Sequence, residues 1–286
     1  MIKYLRMMAI VSIFALSVGC QTDQSTSTSG AMATKALAAT MTTVQTIPTR
    51  PGVTERFVLI TPDHPVASLI LFAGGNGRLG ISDKGDIDNG EKNFLIRTRN
   101  MWAGQGFQVA VVDYPSDGGK RDSYTYAQDM RFVAEFLKQK NNVPVWLVGT
   151  SRGTTSVISV AVKFPNDNLV SGLVLTSSIL SGEGSVTDFD LSLIKVPVLI
   201  VHNRGDRCPI TPYVLAPQLL DRLSSVTTKD LIAIDGGSEF GKKSQCKAMS
   251  HHGYNGVEDV VVQKVSDWIK AHLGDKAKGE LTPVQY

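Results

Sequence analysis

The chain has 286 residues, of which 42% are hydrophobic and 19% charged, with a formal net charge of +3 at pH 7. This composition excludes a wholly disordered chain, and the length suffices for one domain with a substantial core. The basic residues form no block interleaved with aromatic residues, so we expect no nucleic-acid partner. We expect a monomer.

The first twenty residues have the pattern of an export signal. Lys3 and Arg6 supply positive charge, and residues 7–18 form an apolar core too short for a membrane span. Residues 16–20, Leu-Ser-Val-Gly-Cys, resemble a bacterial lipobox, which predicts a lipid anchor at Cys20. Ser17 stands three residues before Cys20, where a lipobox usually has leucine. Cleavage as an ordinary signal peptide therefore remains an alternative. The pattern predicts a cell-envelope protein anchored in the membrane and facing the periplasm or the exterior, or a secreted protein if Cys20 carries no lipid.

The next segment, residues 21–46, is dominated by Ser, Thr, Ala and Gln. Such a composition lacks the apolar surface that a core requires, so we expect a flexible tether. Residues 47–275 then form one domain, and residues 276–286 form a C-terminal tail.

Within the domain, continuous apolar runs alternate with helical patterns. Continuous runs indicate parallel strands that are covered on both faces, and the alternation predicts an α/β, mostly parallel, doubly wound sheet flanked by helices. The predicted strands are residues 56–61, 67–73, 107–113, 143–149, 170–176, 196–202 and 230–235. The predicted helices are residues 92–105, 124–140, 152–163, 212–223 and 257–273.

The pentapeptide Gly149-Thr-Ser-Arg-Gly153 lies between a predicted strand and a predicted helix. A strand-to-helix turn this sharp holds its central residue in strained backbone angles, so its second neighbours must be small. Ser151 is therefore the candidate nucleophile. The motif alone is weak evidence, because a serine nucleophile also needs a base and an acid that orients the base.

Candidates for both partners follow in the chain. Asp206 follows an apolar strand. It therefore lies at the carboxyl ends of the strands, where open parallel sheets usually have their binding and catalytic sites. The base lies in Ser-His-His-Gly-Tyr, which contains His251 and His252. The resulting order of nucleophile, acid and base is that of one known hydrolase arrangement.

These three segments resemble those of small α/β-hydrolases, and in particular exported bacterial serine hydrolases of unassigned substrate. The resemblance covers residues 56–273 and implies the α/β-hydrolase fold. It also favours His252 over His251 as the base, because glycine and then an aromatic residue usually follow the family's catalytic histidine. The interval 177–195, where lipid-acting members often carry a lid, is short and polar, so we expect no large lid domain.

An oxyanion hole requires two N–H donors. The first is expected from Arg152, directly after the nucleophile, and the second from the glycine-rich loop 74–77 after an earlier strand. Gly75 is our candidate, and Asn76 remains the alternative. The loop lacks the lysine and spacing of a nucleotide-binding loop, and we expect no cofactor.

Two cysteines lie near the acid and base segments. A disulfide between Cys208 and Cys246 would tie the two loops together, and two free thiols are the alternative. A zinc site would need further ligands and a paired spacing that is absent. The acidic residues of the loop 79–93 miss the calcium-binding pattern, so we expect no metal.

The sequence thus predicts a serine hydrolase that cleaves a carboxylic ester or related acyl bond of a small molecule through Ser151, Asp206 and His252, by way of an acyl-enzyme. The same residues would serve an acyltransferase, an amidase or a peptidase. A non-catalytic, surface-tethered binding protein with this fold is the alternative from another class.

Overall fold

A computed structural model of the chain describes residues 40–239 and 245–274. Within these residues eight strands form one sheet, with the spatial order β1-β2-β4-β3-β5-β6-β7-β8. β2 runs antiparallel to both of its neighbours, and the other neighbouring pairs are parallel. The strands are β1 (Thr40–Arg50), β2 (Val53–Pro62), β3 (Ala67–Phe72), β4 (Phe107–Val112), β5 (Val145–Thr150), β6 (Val170–Thr176), β7 (Val198–Asn203) and β8 (Lys229–Ile234).

Helices cover both faces of the sheet. Successive residues of β3 belong to different apolar clusters, since Ile70 and Phe72 face one side and Leu69 and Leu71 the other. This alternation follows from the two-residue period of a strand, and it explains why the central strands are continuously apolar. The helices are α1 (Phe94–Arg97), α2 (Arg99–Gly104), α3 (Tyr124–Asn141), α4 (Arg152–Lys163), α5 (Ala216–Arg222) and α6 (Glu258–Ala271). The predicted doubly wound architecture is confirmed.

Two predicted helices are interrupted. The helix expected over residues 92–105 divides into α1 and α2 at Thr98, whose hydroxyl donates to the carbonyl of Phe94 at 2.7 Å and accepts from Trp102 Nε1 at 3.0 Å. Threonine side chains that bond to the backbone in this way compete with regular helix geometry. The helix expected over residues 212–223 begins instead with a 3-10 turn, Tyr213–Leu215, before α5.

Strand β1 corrects the predicted tether. Its first residues, Thr40 to Thr46, lie in the stretch assigned as flexible, yet they pair with β2 in an antiparallel register. An edge strand needs few large apolar residues because much of its surface faces solvent, and β-branched threonine suits a strand. The export signal with Cys20, the rest of the tether and the C-terminal tail after residue 274 lie outside the described residues.

The connection between β6 and β7 is compact. It contains two 3-10 turns, Val186–Asp188 and Leu191–Leu193, and no α-helix. The expectation of no large lid domain is therefore confirmed. Among the helices at residues 40–239 and 245–274, none has both the length and the apolar character needed to cross a bilayer.

Candidate active site

Ser151 occupies a strained turn between β5 and α4. Its backbone angles are φ 53° and ψ −125°, in a region that residues with a side chain rarely adopt. Glycine is sterically required two residues before Ser151 and two residues after it. A Cβ on Gly149 would lie 2.5 Å from the carbonyl oxygen of Gly153, and a Cβ on Gly153 would lie 2.0 Å from that of Phe72. The close approach of α4 to β3 thus holds the serine in place.

Replacing Gly153 with alanine should lower the free energy of unfolding by at least about 2 kcal/mol, because the added methyl group would overlap a backbone oxygen that cannot move freely. Gly104→Ala is the matched control, since a Cβ there meets no atom within 4 Å. We expect its stability to stay within about 1 kcal/mol of the wild type. Urea unfolding of both variants measures the difference, and equal stabilities would contradict the steric requirement for glycine at position 153.

Asp206 and His252 form a buried pair. The Nδ1–H of His252 donates to Oδ2 of Asp206 at 3.0 Å, and both residues are only 6% exposed. The backbone N–H of Cys208 donates to the other carboxylate oxygen at 2.9 Å. With Nδ1 carrying the proton, Nε2 is left as the acceptor nitrogen of a neutral imidazole.

Thr211 joins this pair, although no sequence pattern singled it out. Its hydroxyl donates to Oδ2 of Asp206 at 2.9 Å and lies 3.1 Å from Nδ1 of His252. The side chain is fully buried. Thr211 therefore fixes the carboxylate and the ring relative to each other. It lies five residues after Asp206 in the chain.

His251 points elsewhere. Its Nδ1 lies 3.2 Å from a carboxylate oxygen of Glu239, and its ring packs against Gly205. Within the described residues it makes no hydrogen bond or ion pair with Asp206. The geometry thus favours His252, the residue preferred from the resemblance, as the partner of the acid.

The loop that carries His252 is fastened to the ends of two strands. Ser177, after β6, donates its hydroxyl to the carbonyl of His252 at 2.8 Å. The hydroxyl of Tyr254 donates to the carbonyl of Val201 in β7 at 2.8 Å and accepts from the N–H of Ser177 at 3.0 Å. These bonds hold the histidine without using its ring nitrogens.

Ser151 and His252 line one open cavity of about 300 Å³. Its walls come from the loop after β3, from residues 89–94 and from residues 246–248 in the segment before His252. The loop 79–93, a long insertion that follows the glycine-rich loop 74–77, therefore contributes to the cavity wall. Asp113 anchors the start of this insertion, because its carboxylate accepts the N–H groups of Leu79 and Ile81 at 2.7 and 3.1 Å.

The predicted oxyanion donors lie on both sides of the serine. Arg152 is the first residue of α4, where a backbone N–H has no partner within the helix. Gly75 has φ 66° and borders the cavity, and its N–H makes no hydrogen bond to any residue at 40–239 or 245–274. Gly74 approaches Ser151 more closely, since a Cβ on it would lie 3.1 Å from Cβ of Ser151. Asn76, the alternative donor, also borders the cavity, and its Oδ1 accepts from the N–H of Arg78.

The structure contains the predicted disulfide between Cys208 and Cys246, whose Cα atoms are 4.7 Å apart. Cys208 is two residues beyond Asp206, and Cys246 borders the cavity. The bond joins the loop that carries Asp206 to the segment that leads to His252. Disulfides persist in oxidising compartments, so this pair favours an exported protein. In the described part of the chain, no cluster of His, Cys, Asp or Glu could hold a metal ion.

His202, near the end of β7, is fully buried and lies near Asp206. Neither ring nitrogen has a partner at normal hydrogen-bond geometry within the described residues, although the backbone of Ser178 lies near the ring. Burial lowers its pKa to about 4, although nearby Asp206 acts to raise it. The ring is thus kept neutral.

This burial predicts a pH dependence of stability. Between pH 6.5 and about 4 the unfolded chain binds a proton at His202 that the folded chain does not, so stability falls as the pH falls through this range. The loss should approach about 3 kcal/mol near pH 4. Urea unfolding of the wild type and of His202→Leu at about pH 7 and about pH 4.5 measures it.

The comparison with His202→Leu is needed because another buried group, Glu55, should make the folded state more stable as the pH falls. Burial raises the pKa of Glu55 well above its ordinary value, with Asp113 and Asp129 adding to the effect. Only the difference between the two curves isolates the histidine. An equal loss of stability in both proteins on acidification would contradict the assignment.

No protein-family model matches this chain, and no curated protein matches it significantly. Solved structures do match it in fold. A dienelactone hydrolase from Anabaena variabilis is 14% identical with a TM-score of 0.60, over 82% of this chain and 98% of that one. An esterase from Pyrococcus furiosus is 13% identical with a TM-score of 0.57, over 82% and 93%. An α/β-hydrolase-type protein of unknown function from Agrobacterium tumefaciens is 13% identical with a TM-score of 0.54, over 82% and 98%. The chain therefore has the α/β-hydrolase fold.

Proposed function

We propose that this protein is a serine hydrolase that cleaves a carboxylic ester or related acyl bond of a small molecule. The observation that carries the proposal is the buried 3.0 Å bond between Asp206 and Nδ1 of His252, with His252 and the strained Ser151 lining the same cavity. A histidine held in this tautomer presents Nε2 as a base, and a serine in this turn presents Oγ to a substrate.

In the proposed reaction, Nε2 of His252 takes the proton of Ser151 as Oγ attacks the ester carbonyl carbon. Asp206 keeps the ring oriented and stabilises the imidazolium that forms. The tetrahedral intermediate collapses, the carbon–oxygen bond to the alcohol breaks, and His252 returns the proton to the leaving oxygen. Water then attacks the acyl-enzyme by the same steps and releases the acid and the free serine.

The negative oxygen of each tetrahedral intermediate needs donors that are already in place. The N–H groups of Arg152 and Gly75 are our candidates, because the first opens a helix and the second borders the cavity without another partner among the described residues. Oriented donors of this kind stabilise the transition state by about 3 kcal/mol each.

The form of the cavity supports a small substrate. Its volume of about 300 Å³ is at the lower end of ligand sites, and no helical lid lies between β6 and β7. The names of two structural neighbours, a dienelactone hydrolase and an esterase, are consistent with acyl chemistry.

Product analysis distinguishes hydrolysis from acyl transfer or amide cleavage. The purified chain is incubated with phenyl butyrate in the presence of alcohols or amines, and separately with butyranilide. We expect butyrate as the main product from the ester and slow or no cleavage of the anilide. A predominant new ester or amide would identify a transferase, and preferred cleavage of the anilide would identify an amidase.

We also propose export and lipid attachment at Cys20. The disulfide beside the site and the pattern of the first twenty residues support this proposal. Mass spectrometry of the mature N-terminus from cells is the test. A lipidated Cys20, lost in Cys20→Ser, is expected, whereas an unmodified N-terminus at another residue would indicate ordinary cleavage.

A further inference from the structure

Asn93 borders the cavity beside Ser151 and takes no part in the reaction proposed above. Its Nδ2 lies 3.1 Å from the point that a Cβ on Gly74 would occupy, and Cβ of Ser151 lies 3.1 Å from the same point. Nδ2 of Asn93 and Cβ of Ser151 are therefore at most about 6 Å apart. In a tetrahedral intermediate bonded to Oγ of Ser151, the negative oxygen lies two bonds beyond Oγ. A donor within about 6 Å of Cβ of Ser151 can reach that oxygen.

The orientation of the Asn93 amide is fixed by its neighbours. Its Oδ1 accepts the N–H of Leu95 at 3.2 Å, as a residue at the start of α1 does. That N–H requires an acceptor, so the oxygen must face Leu95 and the NH₂ group must face the other way, towards Gly74. Nδ2 donates to no atom within residues 40–239 and 245–274.

The backbone of Asn93 is also held. Its N–H donates to the carbonyl of Gly90 at 2.7 Å, and its carbonyl accepts from the N–H of Arg97 at 2.9 Å. The next residue, Phe94, is buried with its ring 4.8 Å from that of Tyr254 in the base loop. A donor that is held in position without a partner resembles the preorganised groups that stabilise charge in transition states.

We propose that the side-chain NH₂ of Asn93 is a third oxyanion donor, in addition to the two backbone N–H groups. This inference rests on the proposed hydrolase function. It assigns a catalytic contact to a residue of the insertion, so the insertion would contribute to chemistry as well as to the wall of the cavity.

The test uses Asn93→Ser and Asn93→Asp. Both replacements keep an oxygen that can accept from Leu95 at the start of α1, and both remove the NH₂ group. We expect kcat for a neutral ester such as phenyl butyrate to fall about 10²- to 10³-fold in each variant. KM and the thermal midpoint should change little, and affinity for a boronic acid that mimics the tetrahedral intermediate should fall with kcat.

If Asn93 has only a structural role, kcat should be retained in Asn93→Ser and Asn93→Asp. A third variant, Asn93→Ala, should then have a lower thermal midpoint because it loses the bond to Leu95. Retained kcat would overturn the proposal, and turnover by the wild type would still support the hydrolase function. Absence of ester turnover in the wild type, with every ester tried, would overturn both.

A second, independent observation concerns the charge of the cavity. Three of its lining residues are basic, Arg78, Lys92 and Lys247, and none is acidic. All three are exposed, and none forms an ion pair within the described residues. Arg78 instead lies over the ring of Tyr114, with 4.8 Å between its Cζ and the ring centroid. Clefts lined by one sign of charge concentrate ligands of the opposite sign.

We infer that the substrate is an ester that carries an anionic group, a carboxylate or a phosphate, away from the scissile bond. This inference also rests on the proposed function. Three cations around one opening, none of them in an ion pair with a described acid, would raise the encounter rate and the affinity of such an ester. A neutral ester of equal size would gain nothing from them.

The test compares phenyl hexanoate with monophenyl adipate, which has a terminal carboxylate, and with the corresponding phosphonate. We expect kcat/KM of the wild type to be about 10- to 100-fold higher for an anionic ester, and to lose this preference as ionic strength rises from about 0.01 M to about 0.5 M. The triple variant Arg78→Gln, Lys92→Gln, Lys247→Gln should also lose it. Lys264→Gln, an exposed lysine on α6, should retain it.

The relative rates of the two anionic esters identify which anion is preferred. Equal kcat/KM for anionic and neutral esters in the wild type, or a preference that survives in the triple variant, would overturn the inference while hydrolysis itself stands. Turnover of no ester would overturn the inference together with the proposed function.

Discussion

Replacing Ser151 with alanine should lower kcat/KM for phenyl butyrate by on the order of 10⁴-fold or more, because the reaction would lose its nucleophile. Residual turnover would come from bound water and the oxyanion donors alone. Stability should be almost unchanged, since no described hydrogen bond of the Ser151 hydroxyl supports the fold. Steady-state kinetics and thermal unfolding of the same preparations give both quantities.

Ser159→Ala is the matched control for this substitution. Ser159 lies in α4, the helix that follows Ser151, is buried, and has a hydroxyl without a hydrogen-bond partner in the described part of the chain. Its loss should leave kcat/KM within about 2-fold of the wild type, as expected for a substitution away from the site. Wild-type activity in Ser151→Ala would rule out the proposed acyl-enzyme.

The two adjacent histidines should behave very differently. His252→Ala should lower kcat by on the order of 10⁴-fold, because the serine would lose the base that takes its proton. His251→Ala is the matched control and should retain kcat within a few-fold, since its ring lies beside Glu239 and Gly205 rather than beside Asp206. Kinetics at saturating ester concentration compare the two variants.

Asp206→Asn extends this comparison. An asparagine cannot accept the Nδ1–H in the same way and can stabilise the wrong tautomer, which costs about 10⁴-fold in a serine protease with the same arrangement. We expect a loss of this order in kcat. A large loss in His251→Ala with little loss in His252→Ala would reverse the assignment of the base.

The sequence predicted the sheet well because its central strands satisfy one simple condition. A strand covered on both faces must be apolar throughout, and β3, β4 and β5 are fully buried along their length. The sequence could not identify β1 in the same way. Its stability depends on backbone pairing with β2, so threonine-rich residues that suggest a tether form an edge strand.

The turn around Ser151 was predictable because local geometry there restricts the residue type. Gly149 and Gly153 are required by contacts that leave no room for a Cβ, so the motif around Ser151 is informative. Thr211 and Asn93 differ from these glycines, because Thr211 meets His252, and Asn93 lies near Ser151, only through the packing of separate loops. Threonine and asparagine are also common in loops that have no part in catalysis, since their side chains bond to the nearby backbone. Their presence in a sequence therefore does not mark a site.

The central claim is that Ser151 is activated by His252, and labelling of the purified chain with a fluorophosphonate probe tests it most directly. Mass spectrometry of the digested protein locates and quantifies the adduct in the wild type, Ser151→Ala, His252→Ala and His251→Ala. We expect stoichiometric labelling at Ser151 in the wild type and in His251→Ala, none in Ser151→Ala, and a much slower reaction in His252→Ala. A folded wild type that stays unlabelled, or an adduct at another serine, would contradict the claim.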